Sequence, residues 1–176
     1  MSLKFIDLFA GMGGFHRALS RLGFECVFAS EIDPTLREVY TRNFEGSIEY
    51  VYGDIRENKD KIPSHDILCA GFPCQPFSKS GSRQGVLDQT RGTLFHEIID
   101  ILTRHKPQYV FLENVGNFER HDEGKTWKIV RESLEKLGYT VRGTEHISSG
   151  GPGLLSPHHF GYPHSRERFF IVAKLG

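Results

Sequence analysis

The sequence predicts an α/β protein built on a mostly parallel, doubly wound sheet that ends in antiparallel strands. Three observations carry this. Short apolar segments alternate with segments whose apolar residues recur at helical spacing. A glycine turn, Gly11–Met12–Gly13–Gly14, separates the first strand from the first helix. Polar and proline-bearing stretches follow the strand segments, where open α/β sheets place their ligands.

Residues 4–9 read as the first strand and 15–22 as the helix behind it, stopped by Gly23. Residues 25–30 form the second strand. Asp33 and Pro34 supply an N-cap and a first helical residue, opening a helix to about Asn43. Residues 48–52, 67–70 and 109–112 are the third, fourth and fifth strands. Between the last two, Leu94, Phe95, Ile98, Ile101 and Leu102 fall on one helical face. Trp127, Val130, Leu134 and Leu137 mark another amphipathic helix, which Gly138 ends. Residues 139–147 and 169–173 close the chain as two mutually antiparallel strands. Residues 79–92 and 148–162 lack periodicity, and loops this long in one domain are usually functional.

A chain of 176 residues suits one domain, here residues 1–176, with enough apolar content for a core. Lys+Arg and Asp+Glu balance at 22 each, so no global basic field marks a nucleic-acid protein. Any such surface is local or supplied from outside these residues. Cys26, Cys69 and Cys74 are too few and oddly counted for a disulfide framework, pointing to a reducing, cytoplasmic setting. No run approaches the roughly 20 apolar residues of a membrane span, and no signal-peptide pattern opens the chain.

The stretch Gly71–Phe72–Pro73–Cys74–Gln75–Pro76–Phe77–Ser78 follows the fourth strand directly. Pro73 and Pro76 fix backbone angles around Cys74, so its thiol is presented as a nucleophile rather than a core residue. The glycines Gly11, Gly13 and Gly14 lack dinucleotide spacing but still suit a nucleotide cradle. Glu31 ends the second strand twenty positions after Gly11 and suits ribose hydroxyls; a helix-dipole role competes. Asp54 ends the third strand, placed to accept from an adenine amino group. Phe9, Ile32 and Ile55 flank these groups as walls for a flat base.

Together these segments resemble the cytosine-5 DNA methyltransferases of the HhaI-like bacterial restriction–modification type. Asp7–Phe15 is similar to the family's S-adenosylmethionine loop, Gly71–Ser78 to its nucleophile motif and Glu113–Asn114–Val115 to its acid motif. Arg166–Glu167–Arg168 is similar to its arginine motif, and Arg91–Phe95 to the segment closing its mobile loop. The resemblance implies a Rossmann-like methyltransferase fold, S-adenosylmethionine as methyl donor with S-adenosylhomocysteine as product, and double-stranded DNA as substrate. It implies cofactor contacts at Phe9, Ala10, Gly11, Gly13, Gly14, Glu31, Ile32, Asp54, Ile55, Pro73 and Leu94. Cys74 would add to carbon 6 of a flipped cytosine, its thiolate favoured by nearby cations. Glu113 would serve ring nitrogen 3, while Arg166 and Arg168 hold the base carbonyl and orient Glu113. Ser78, Ser80 and Arg83 would contact phosphate on a closing loop. His158, His159 and His164 lack cysteine or carboxylate partners at ligand spacing, so no metal is expected.

The chain departs from the family pattern twice. Pro163–His164 stands where the family shows Pro–Gln. The target-recognition region and the final motifs are missing from these residues, which implies a truncated form, half of a split enzyme or a degenerate orphan product. A second polypeptide then becomes an expected partner. A silent cofactor-binding module and a tRNA cytosine methyltransferase are the competing functions.

Overall fold

The computed structural model describes residues 2–74, 86–142 and 153–176. Its eight strands are β1 Lys4–Leu8, β2 Glu25–Ser30, β3 Val51–Tyr52, β4 Ile67–Gly71, β5 Tyr109–Val115, β6 Tyr139–Arg142, β7 Leu154–Leu155 and β8 Arg168–Leu175. They form one sheet in the order β3-β2-β1-β4-β5-β8-β6, with β7 also on β8. Pairings from β3 through β5 are parallel, and β8 runs antiparallel to β5, β6 and β7. The strand order reverses between β1 and β4, so the crevice at their carboxyl ends is a topological switch point.

The helices are α1 Gly14–Ser20, α2 Pro34–Asn43, α3 Ile55–Asn58, α4 Val86–Gln89, α5 Leu94–His105 and α6 Lys125–Lys136. Successive strand side chains point to opposite faces, so continuously apolar strands need cover on both. Ile6, Leu8, Leu68 and Ala70 bury themselves with Ile98 and Ile101 of α5 and Val130 and Leu134 of α6. The alternate residues Phe5, Ile67 and Cys69 pack with Leu19 of α1. The doubly wound prediction therefore holds, including β6 and β8 antiparallel to each other.

Several bounds differ from the sequence reading. The third strand is Val51–Tyr52 rather than 48–52. Strand β5 continues to Val115, because β8 pairs along it as far as Val115 opposite Arg168. Asp54 caps α3 by accepting from Arg56 N, an element the reading does not contain. Residues 143–147 of the sixth expected strand lie outside the described residues, as does 79–85 of the first loop and 148–152 of the second.

Candidate active site

The strand–turn–helix at the end of β1 is shaped by backbone conformations that few residues adopt. Phe9 has φ 54° and Gly13, which caps α1, has φ 88°. A side chain at Gly13 would strike the Phe44 ring, so glycine is required there twice over. Glu31 holds this turn. Its Oε2 accepts from Gly11 N at 2.8 Å and its Oε1 from Asp33 N at 2.9 Å. Glu31 therefore sits just before α2 and clamps the glycine turn to its start, a role that neither sequence reading of this residue contains. Each carboxylate oxygen keeps a further lone pair.

Asp54 is engaged by Arg56, whose Nε lies 3.0 and 2.9 Å from its two carboxylate oxygens. These hydrogen bonds hold the Asp54 carboxyl below the usual range. Ile32 is 62% exposed and presents an apolar wall, whereas Ile55 is 3% exposed and belongs to the core. Ile55 begins α3 directly after the Asp54 cap.

A cavity of about 540 Å³ opens at the switch point. Phe9, Ala10 and Gly14 line it from the glycine turn, with Glu113, Arg166, Gly71 and Phe170 opposite. Asp7 is also on its lining, a residue to which the sequence reading gave no role of its own. It is 1% exposed, and its Oδ1 is buried without a hydrogen-bond partner. Burial pushes the Asp7 carboxyl up to about 8, against hydrogen bonds from His16 N and the Tyr40 hydroxyl. The signal for Asp7 was its place: a carboxylate inside an otherwise apolar strand.

Glu113 is held by Arg168, whose Nε donates to Oε1 at 2.8 Å. Burial nonetheless raises the Glu113 pKa above the ordinary carboxylate value, against the pull of Arg168 and Arg166. Gly71 lets β4 pass close by: a Cβ there would stand 3.2 Å from Glu113 Oε2. Arg166 is positioned through its backbone, its N–H donating to Ser156 Oγ at 2.9 Å. Ser156 is buried and also bonds His158 Nδ1 at 2.8 Å, while His159 Nδ1 accepts from Ser156 N at 3.4 Å. His158 and His159 are thus tied into the segment that carries Arg166. His164 is exposed.

Cys74 leaves β4 on a turn tethered by Asn114, whose Nδ2 donates to Phe72 O at 2.9 Å. Asn114 is buried, and the sequence reading saw it only as part of the acid motif. The thiol lines a small crevice with Thr93, Phe95, Phe118 and Thr126, beside the large cavity and not among its lining residues. Burial pushes the Cys74 thiol up. This corrects the expectation of a cation-lowered thiol. Arg168 is on Glu113, the acid it was expected to orient. Leu94 is half-buried at the start of α5, which Thr93 caps, and Pro73 is exposed. Ser78, Ser80 and Arg83 lie outside the described residues.

Comparison with known proteins accords with this geometry. The sequence model for the C-5 cytosine-specific DNA methylases matches residues 3–176. The chain is 47% identical over 173 residues to the type II methyltransferase M.MspI of Moraxella sp, covering 98% of this chain and 38% of that protein. It is 45% identical to the type II methyltransferase M.HhaI of Haemophilus parahaemolyticus, covering 97% of this chain and 48% of that protein. The chain therefore spans half or less of the length of these relatives. The crystal structure of the S. pombe Dnmt2 methyltransferase superposes with a TM-score of 0.72 at 30% identity, over 98% of this chain and 51% of that one. Sheet order, the glycine turn and the match across nearly every residue lead to one assignment: the chain belongs to the C-5 cytosine-specific DNA methylase family.

Proposed function

We propose that this chain is the cofactor-binding and catalytic domain of an enzyme that methylates carbon 5 of cytosine in double-stranded DNA. The observation that carries the reading is the cavity itself. It joins the glycine turn on one side to Glu113 and Arg166 on the other. S-adenosylmethionine fits the chemistry of this lining: a glycine cradle clamped by Glu31, an apolar wall at Phe9, and a buried unpartnered Asp7 oxygen able to take a polar group of the cofactor. When bound, S-adenosylmethionine supplies an electrophilic methyl group.

The chain's own residues then do the following. Glu31 accepts from ribose hydroxyls with its remaining lone pairs, and Phe9 and Ile32 cover the adenine. Glu113, held towards its protonated form by burial, donates to cytosine nitrogen 3. Arg168 fixes the Glu113 carboxyl, and Arg166 at the cavity rim holds the base carbonyl. Cys74, after giving its thiol proton to solvent, adds through its sulfur to carbon 6. The carbon 5–carbon 6 π bond opens as nitrogen 3 takes the Glu113 proton, so that carbon 5 becomes nucleophilic. Later loss of the carbon 5 proton to solvent water expels the Cys74 sulfur. The thiol must leave its crevice, and the target base must leave the duplex, for this contact to form. Base readout is assigned to residues outside these 176 or to a second polypeptide, because the charge balance offers no broad DNA-binding field.

The test is covalent trapping. Duplex DNA and tRNA carrying 5-fluorocytosine are each offered with S-adenosylmethionine, with and without a partner supplying a recognition region. A denaturation-resistant complex with DNA that disappears in Cys74→Ser supports the reading. Trapping by tRNA alone, or trapping that survives Cys74→Ser, overturns it.

A further inference from the structure

At the opposite edge of the sheet from the cavity, two histidines meet. His65 lies just before β4, and His105 is the last residue of α5. Their ring centroids stand 5.1 Å apart at 39°. His65 Nδ1 is 2.8 Å from Pro63 O. A carbonyl oxygen can only accept, so Nδ1 carries the proton and Nε2 is left as a bare lone pair. That Nε2 is buried without any partner in a residue only 7% exposed. An unmet buried acceptor is costly and calls for an explanation.

We propose that His65 and His105 form a two-imidazole site for a borderline divalent cation of the Zn²⁺, Ni²⁺ or Cu²⁺ class. Two imidazoles ligating one ion at about 2.0–2.1 Å place their ring centroids about 5 Å apart, the separation found here. The rings are kept in the ligating form, since burial holds both pKa values below the ordinary histidine value. His105 is only half-buried, which leaves a route for the ion. Among the described residues no third ligating side chain completes a cluster, so water fills the other positions. Asp66 is nearby in sequence, but its Oδ2 accepts from Lys4 N and serves β1. Arg104 adds a positive charge beside His105, which weakens the site without closing it. The ion would staple the end of α5 to the entry of β4, remote from the methyl-transfer chemistry.

Calorimetric titration of the purified chain with each cation at pH 7.5 tests the proposal, with Tm as a second readout. One ion per chain is expected, strongest for Cu²⁺ by the usual divalent order, with a rise in Tm. His105→Ala, at a half-exposed position, should fold and lose at least tenfold in affinity together with the Tm rise. Its retention by His164→Ala separates this pair from the chain's other histidines. Binding should also weaken as the pH is lowered below the ordinary imidazole range, since protons compete for the same lone pairs. Absence of saturable binding, or binding unchanged in His105→Ala, overturns the proposal whatever the fate of the methyltransferase reading.

Discussion

Arg168 Nε lies 2.8 Å from Glu113 Oε1 across the β5–β8 pair. Arg168 is opposite Val115, and Glu113 is two residues back on the same face, so this is a diagonal cross-strand contact. Antiparallel β8 thus delivers a guanidinium from the chain's far end onto an acid at the sheet's carboxyl edge. The pairing keeps the carboxyl oriented while burial favours its protonated state.

From this pair follows the first prediction. Glu113→Gln keeps the shape but removes the transferable proton, and should lower kcat by about 10²–10⁴-fold, the scale of general acid catalysis. Binding of S-adenosylmethionine should change little. The proton is held with a raised pKa, so turnover limited by Glu113 should fall as pH rises through that value. A pH profile unchanged between the wild-type protein and Glu113→Gln would remove the acid role.

Asp7 gives a stability prediction with a definite sign. Its folded pKa, about 8, lies above the ordinary aspartate value of 3.8, so between these values the native state holds a proton that the unfolded state has lost. Stability contributed by this group is complete below about 3.8 and is lost as pH rises towards 8. Asp7→Asn, which cannot ionise, should flatten the pH dependence of Tm over that range and raise Tm at its upper end. An identical slope in the variant would show that Asp7 is not the group responsible.

Cys74→Ser should abolish methyl transfer while leaving cofactor affinity nearly intact, since the thiol lines a crevice apart from the cavity. Asn114→Ala tests the tether. Losing its bond to Phe72 O leaves a carbonyl unpaired and should cost about 1–3 kcal/mol of stability. It should also slow covalent trapping by Cys74. If Tm falls but trapping is as fast as in the wild-type protein, Asn114 supports the fold and not the nucleophile.

Much of this was legible in the residues because local rules and tertiary demands agreed. Asp33–Pro34 capped α2 where the cap chemistry placed it, with Asp33 Oδ1 accepting from Thr35 N and Leu36 N. The nearly continuous apolar runs of β1 and β4 required helices on both faces. The misses came where a distant partner decided. The fifth strand read as ending at Leu112, before the polar Glu113 and Asn114, yet β8 pairs with β5 as far as Val115. Helix α3 itself went unread, because it is a single turn that starts at Ile55 under the Asp54 cap. The Cys74 thiol is pushed up by burial, which depends on how the turn after β4 packs and is not encoded in the prolines beside it.

Glu31 separates two kinds of contribution that sequence alone could not. Glu31 is 8% exposed, and its carboxylate takes two backbone donors, Gly11 N and Asp33 N. Glu31→Ala removes the ribose acceptor and also frees the glycine turn from the start of α2. The ligand effect should be a loss of about 1–3 kcal/mol in S-adenosylmethionine binding, the scale for a charged hydrogen-bond partner. The structural effect should appear in the absence of ligand as a lowered Tm, because two backbone donors lose their acceptor. Adenosine with an intact ribose and its 2′,3′-dideoxy analogue distinguish the two. The wild-type protein should prefer the ribose form, and Glu31→Ala should bind both equally weakly. A variant that still discriminates between them would leave Glu31 with the clamp alone.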